Sequence, residues 1–257
     1  MSENIGISQR CIYELYSQLA ELRKHERTSG RHYQVFCSFL QIYNEKVFDL
    51  LNQSTLTVMG SKKSSNSEAI AKQQQGLRIR WTKKDQFVVE NLFVFECETA
   101  ENALELFRVG SKNRILASHN LNDVSSRSHT IFCLTIESQD MSKQEMVTVS
   151  KLQLVDLAGS EKQSLTGTTG VQAKESIDIN KSLLVLRKVI TALTDQRGGN
   201  SDNKMNFVPY RESKLTCLLK QSLGGNSYTL MVSQSNHQTL TYRLRAFRPQ
   251  TVSLRRI

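Results

Sequence analysis

The sequence predicts an α/β domain with a mostly parallel central sheet and helices on both faces. Three observations carry this prediction. Short apolar or β-branched runs recur at Val35–Tyr43, Thr130–Ile136 and Leu152–Val155, each of a length that suits a sheet strand. Longer stretches separate and follow them, with apolar residues returning every three or four positions, as on a helix buried along one side. The run at Leu152 ends in Asp156, and Gly159 follows three residues later. A buried parallel strand can deliver a carboxylate and then a glycine in this way, the first to the water shell of a magnesium ion and the second to a terminal phosphate.

Length and composition bound the answer. A chain of 257 residues can form one large domain with a sizeable core, or two small ones. A hydrophobic content of 39% and a charged content of 23% are ordinary for a soluble globular protein. Lys and Arg number 34 against 24 Asp and Glu, a net charge of +10. That balance favours an anionic partner, whether nucleic acid, an acidic protein surface or acidic lipid; the alternative is a basic but inert surface. Cys11, Cys37, Cys97, Cys133 and Cys217 are widely spaced, with no Cys-x-x-Cys, so neither a zinc site nor a disulfide framework is expected. Reduced thiols in a cytosolic protein fit best. No signal peptide is expected at the N-terminus, and no apolar run approaches the roughly 20 residues that span a bilayer. A nucleic-acid binder lacks support, because no zinc pattern or aromatic-interleaved basic motif is present.

Taken in order, Ser8 can cap a helix whose apolar residues Ile12, Leu15, Tyr16, Leu19 and Leu22 share a side, with Arg23 and Lys24 at its end. Val35–Tyr43 reads as a core strand. Ser54–Gln75 is rich in Ser, Lys and Gln and reads as a disordered surface insertion. Leu77–Trp81 and Gln86–Val89 read as two short strands joined by Thr82–Asp85, with Trp81 a packing residue. Thr99 opens a helix that buries Ala103, Leu104 and Phe107, with acidic residues early and Arg108, Lys112 and Arg114 late. Ile179, Leu183, Leu186, Ile190 and Leu193 form the apolar side of a further helix. Lys174, Lys181 and Lys188 recur every seven residues and share one face if that helix reaches back far enough. Pro209 stands at or near the first turn of another helix, which buries Leu215, Leu218, Leu219 and Leu223 and stops at Gly224-Gly225. Thr229–Ser233 reads as a last core strand.

Two strings carry the chemistry. Asn122-Asp-Val-Ser-Ser-Arg-Ser-His129 offers Ser125 and Ser126 as hydroxyl donors to a phosphate or a hydrated metal ion, and Arg127 as a partner for Glu161. Lys151-Leu-Gln-Leu-Val-Asp-Leu-Ala-Gly-Ser-Glu161 supplies Asp156, Gly159 and Glu161. Together they resemble the two nucleotide switches of the kinesin motor domain, in the family's order. Gly6–Arg10, Gln41–Leu51, Asn180–Leu183 and Val208–Thr216 resemble further family signatures, so the likeness runs from Gly6 to about Ser233. The resemblance implies a P-loop NTPase fold, ATP and Mg2+ as cofactors, and microtubules as partner. Ser125, Ser126, Asp156 and Gly159 would then bind nucleotide, with Ser126 and Asp156 on the magnesium water shell, and Arg127 and Glu161 would complete the switches. Lys174, Lys181, Lys188, Tyr210, Arg211 and Lys214 would face the microtubule. A cytoplasmic, cytoskeletal location follows.

The sequence departs from the family in two places. None of its 12 glycines is followed by lysine, so it contains no Gly-Lys-Ser/Thr phosphate loop. It looks like a motor domain without its N-terminal third, in an incomplete sheet: a motor part at 1–233 and a divergent basic tail at 234–257, where Arg243, Arg245, Arg248, Arg255 and Arg256 cluster. The expected function is a microtubule-based motor in a complete parent, with ATP hydrolysis by this chain in question. A non-hydrolysing microtubule-binding module is the alternative. No heptad stalk is present from which to argue an oligomeric state.

Overall fold

The computed structural model describes residues 5–24, 30–52, 76–83, 85–120, 127–140, 147–159, 171–195, 207–232 and 245–247; for 115–120, 171–180 and 245–247 it describes the course of the backbone. The expected insertion at 54–75 lies outside these residues, as does all of the tail except 245–247. The chain divides into two compact units, Met1–Arg78 with Asn91–Gly159, and Ile79–Glu90 with Ser160–Ile257.

The first unit is built on a long antiparallel ladder. Strand β1 (Arg31–Tyr43) pairs with β2 (Lys46–Asp49) through a tight turn in which Asn44 and Glu45 both have positive φ. On its other side β1 pairs with β6 (His129–Asp140), and β6 with β7 (Val147–Asp156); the short β5 (Phe95–Glu96) adds to β1. Helices α1 (Ile7–Lys24) and α2 (Ala100–Asn120) cover one face. β1 alternates, so that Val35, Cys37 and Phe39 meet Ile12, Tyr16 and Leu19 of α1, Ala103 and Leu104 of α2, and Phe132 and Leu134 of β6. Phe39 is held between the parallel ring of Phe107 and the edge of Phe132, with centroids 5.7 and 5.2 Å away. Tyr16 donates its hydroxyl to the Cys97 carbonyl at 2.8 Å, which satisfies the one polar atom that α1 buries here. Asp49 accepts the backbone N–H groups of Leu51 and Phe93 and so ties the end of β2 to the segment before β5.

Helix ends follow local chemistry. The Thr99 hydroxyl accepts the Asn102 N–H at 3.2 Å, and the Asn102 side-chain oxygen in turn accepts the Thr99 N–H, a reciprocal cap for α2. Ser8 does not cap α1. The helix already runs from Ile7, where the Arg10 N–H reaches the Gly6 carbonyl, so Ser8 lies within the first turn.

The α/β class holds, but the mostly parallel sheet does not: every strand pair among the described residues is antiparallel. In this unit the helices lie on one face of the sheet. The run ending in Asp156 is likewise not a buried parallel strand. β7 has a pairing neighbour, β6, on one side only among the described residues, so Leu152 and Leu154 are half-buried and Val155 is exposed. An apolar run reads the same whether its second neighbour is present or not.

The second unit holds a hairpin, β3 (Ile79–Trp81) and β4 (Phe87–Val89), and helix α3 (Val171–Asp195). A 3-10 turn (Tyr210–Glu212) and the short helices α4 (Lys214–Leu218) and α5 (Lys220–Gly224) follow. The expected single helix from Pro209 is interrupted at Ser213, whose backbone is extended and whose hydroxyl caps α4 by accepting the Leu215 N–H at 3.2 Å. Strand β8 (Thr229–Met231) was expected in the core; it pairs with β9 (Arg245–Phe247) instead, and Leu230 is exposed. On α3 the buried side is Ser182, Val185, Leu186 and Val189, turned slightly from the expected stripe, with Leu183, Ile190 and Leu193 at its margin.

Gly110 marks a close approach of α2 to the sheet, since a Cβ there would lie 2.2 Å from Phe39 Cδ1. On an open helix Gly→Ala gains about 0.5–1 kcal/mol. Here the ring cannot yield, because Phe107 and Phe132 hold it on two sides. Gly110→Ala is therefore expected to destabilise the chain by about 1–3 kcal/mol in denaturant unfolding. A stabilised variant would show that helix and sheet do not meet at this point.

Candidate functional site

In the first unit the antiparallel register sets Thr130 opposite Asp156. The start of β6 and the end of β7 therefore share one end of the sheet, and Arg127, Asp156 and Gly159 gather there. Two residues to which the sequence assigned no role of their own in the site, His129 and Arg114, complete the cluster. The Ala158 N–H, two residues past Asp156, donates to His129 Nδ1 at 2.9 Å. His129 is buried, and burial above all pushes its pKa down to about 4; Asp156 opposes the shift and Arg114 adds to it. At neutral pH the ring is uncharged, and with Nδ1 accepting, its proton resides on Nε2.

Arg114, near the end of α2, donates to the Asp156 carboxylate and, at 3.4 Å, to the Ser128 carbonyl. The carboxylate side of this pair is 62% exposed, so the pair adds little to stability. Its effect is to hold Asp156 in one direction. Asn113 beside it donates to the Leu50 carbonyl at 2.7 Å, which fixes this turn of α2 against the end of β2. Neither residue was legible as part of the site. Arg114 reads as a helix-end cation, and the partner of His129 is a backbone N–H that no side-chain pattern reveals.

Ser125, Ser126 and Glu161 lie outside the described residues, and with them the expected Arg127–Glu161 pair. Among the described residues no three metal-ligating side chains converge. Asp156 is engaged by Arg114, and the sequence has no loop to cradle phosphates. The residues present do not by themselves fit resident Mg2+ and ATP.

The second unit presents a cationic face. α3 reaches back to Val171, so Lys174, Lys181 and Lys188 do lie on one helix. Lys181 and Lys188 are exposed, as the seven-residue spacing requires. Lys188 is also paired with Glu212 of the 3-10 turn at 3.1 Å, a contact the spacing did not foretell. Arg211 and Lys214 on and after that turn are exposed. Tyr210 is half-buried, with burial raising its hydroxyl pKa; its oxygen would lie 2.0 Å from a Cβ at position 224, so a side chain there would displace the tyrosine. The structure thus brings Lys188 to the turn carrying Tyr210 and Arg211.

A family model described as the kinesin motor domain matches residues 1–243. Kinesin-like protein KIF16B of Homo sapiens is 40% identical over 246 residues, covering 94% of this chain and 17% of that protein. Kinesin-like protein Klp98A of Drosophila melanogaster is 38% identical over 246 residues, covering 90% of this chain and 18% of that protein. A solved structure of a KIF14 dimer, in a two-heads-bound state with AMP-PNP in complex with a microtubule, aligns at a TM-score of 0.67 and 34% identity, over 88% of this chain and 58% of that one. The chain therefore spans under a fifth of the curated relatives' length and little more than half of the solved motor chain.

His129 gives the cluster a pH signature. In the unfolded chain its pKa is about 6.5, and in the fold it is about 4. Above pH 6.5 both forms are neutral and the group is silent. As pH falls toward 4 the unfolded chain takes up a proton that the fold refuses, and stability drops by about 3 kcal/mol. His129→Asn keeps an acceptor for Ala158 and removes the titration. The stability difference between wild type and this variant should shift by about that amount between pH 7 and pH 4, in favour of the variant. Parallel pH profiles would contradict the buried, neutral imidazole.

Proposed function

The chain belongs to the kinesin motor-domain family, and from that premise we propose that it serves a microtubule-based motor, contributing the two switch strings and the microtubule-facing surface. Kinesin motor domains bind ATP with Mg2+ and associate with microtubules. The observation that carries the reading is the family match across residues 1–243, which embraces both the switch strings and the cationic face. In this reading 1–233 is motor domain, with 54–75 an insertion and 234–257 a basic tail. The chain works on cytoplasmic microtubules.

In a complete parent, Ser125, Ser126, Arg127, Asp156, Gly159 and Glu161 are assigned to nucleotide sensing, with Ser126 and Asp156 toward the metal's water shell. The chain's own residues give this assignment a physical form. His129 joins the start of β6 to the backbone after β7, so His129 and Ala158 are held together. Arg114 holds Asp156 when no ion competes for it. A displacement at Asp156 or Ala158 is then felt at Ser128 and His129, through the Arg114 guanidinium and the Ala158–His129 hydrogen bond. With no phosphate loop in its sequence, the chain alone is expected to hydrolyse ATP negligibly, with or without microtubules. Steady turnover by the folded chain, lost on Asp156→Ala, would contradict this.

Lys174, Lys181, Lys188, Tyr210, Arg211 and Lys214 are assigned to an acidic tubulin surface. Each exposed charge contact contributes only about 0–1 kcal/mol. Several together steer association and weaken as salt rises. Microtubule co-sedimentation at low salt tests the assignment. Reversing Lys181 and Lys188 to Glu should weaken binding by roughly tenfold or more. Reversing Lys62 and Lys63, which lie outside the described residues, changes net charge equally and should cost far less. Because Lys188 also holds Glu212, Lys181→Glu alone is the cleaner arm. Equal losses from the two double reversals would leave only non-specific attraction and refute the docking face.

A further inference from the structure

The hairpin β3–β4 carries the chain's single tryptophan, and two cations of the same unit lie over its ring. Lys220 Nζ is 4.2 Å from the Trp81 ring centroid, and the guanidinium carbon of Arg211 is 5.4 Å from it. Phe87, the cross-strand partner of Trp81, meets the ring edge-on at 4.5 Å and fixes its plane. The two cations are not equivalent. Lys220 is neutralised by Asp85 in the hairpin turn at 2.7 Å, and its side chain is only 20% exposed. Gln221 donates to the Asp85 carbonyl at 3.0 Å, so α5 grips the hairpin tip from two adjacent residues. Arg211 is exposed and pairs with no carboxylate among the described residues; its neighbour Glu212 is held by Lys188. A guanidinium attracted through its face to an indole keeps its N–H donors available at its edge, and that planar fork matches a carboxylate.

We propose that Trp81 is a positioning residue for the cationic face: it holds the Arg211 guanidinium over the hairpin so that its donors meet a carboxylate of the acidic partner surface. Lys220 and Asp85 have the supporting task of locking the hairpin in place beneath that side chain. The inference rests on the microtubule reading above and gives a task to a residue that the sequence marks only as packing.

Co-sedimentation of the 257-residue chain with microtubules at low salt tests it. Trp81→Ala is expected to weaken binding about two- to fivefold. Arg211→Ala should weaken it at least as much, the double variant no more than Arg211→Ala alone, and Trp81→Phe should retain part of the affinity. Without microtubules, Arg211→Ala should change the emission of the sole tryptophan while leaving the unfolding midpoint in place. Should Trp81→Ala not fold, Arg211→Lys answers instead: it keeps the charge, loses the fork, and should bind about as weakly as Arg211→Ala. Additive losses from Trp81 and Arg211, or full binding by Arg211→Lys, would overturn the proposal. So would a Trp81→Ala chain that binds normally while Lys181→Glu/Lys188→Glu does not, and that result would leave the docking face standing. Equal effects of the Lys181/Lys188 and Lys62/Lys63 reversals would remove the docking face and this proposal together.

Discussion

The register between β1, β6 and β7 is the constraint on which the first unit depends. Twelve residue pairs, from Arg31 opposite Asp140 to Ile42 opposite His129, fix β1 to β6. A slip of one residue between β1 and β6 would turn Phe132 away from Phe39 and Phe107 and break the aromatic cluster that meets α2. The same register decides chemistry at its far end. It sets Thr130 opposite Asp156, and so carries His129 to the Ala158 N–H and Asp156 to within reach of Arg114. Core and site are two ends of one ladder. The aromatic cluster of Phe39, Phe107 and Phe132 pins α2 to the sheet, and the last described turns of α2 deliver Asn113 and Arg114 to that end.

Much of this was legible in the sequence, for identifiable reasons. A run of β-branched and aromatic residues marked β1, helical spacing marked α1, and the charge order on α2 matched its direction. The long switch strings named the family because their residues sit in a fixed order. What the sequence concealed was mostly pairing. An apolar run such as Leu152–Val155 does not state how many neighbours it has or which way they run, so a parallel, buried strand was expected where an antiparallel, half-exposed one stands. His129 was visible as the last letter of a motif, but its bond goes to a backbone group. Lys188 was visible as part of a basic stripe, but Glu212, which partly neutralises it, lies across a long stretch of chain.

In the proposed docking, the second unit illustrates how a surface of weak contacts could still be specific. Its cations are mostly exposed, and none contributes much alone. Several are nevertheless held in place: Lys188 by Glu212, Lys220 by Asp85 and the Trp81 ring, Arg211 over that same ring. Ordering a long side chain before binding reduces the entropy lost on binding. In the proposed docking, the +10 charge of the chain would draw it toward an acidic lattice, and the fixed positions of these few groups would decide how it sits there.

The most direct measurement is a cryo-electron-microscopy reconstruction of this chain on microtubules at low salt. The account predicts that the exposed Lys181 side of α3 and the Tyr210–Glu212 turn lie against tubulin. A chain bound through another surface, with Lys181 and Arg211 facing solvent, would contradict it, as would bare microtubules at a salt concentration where the chain is folded.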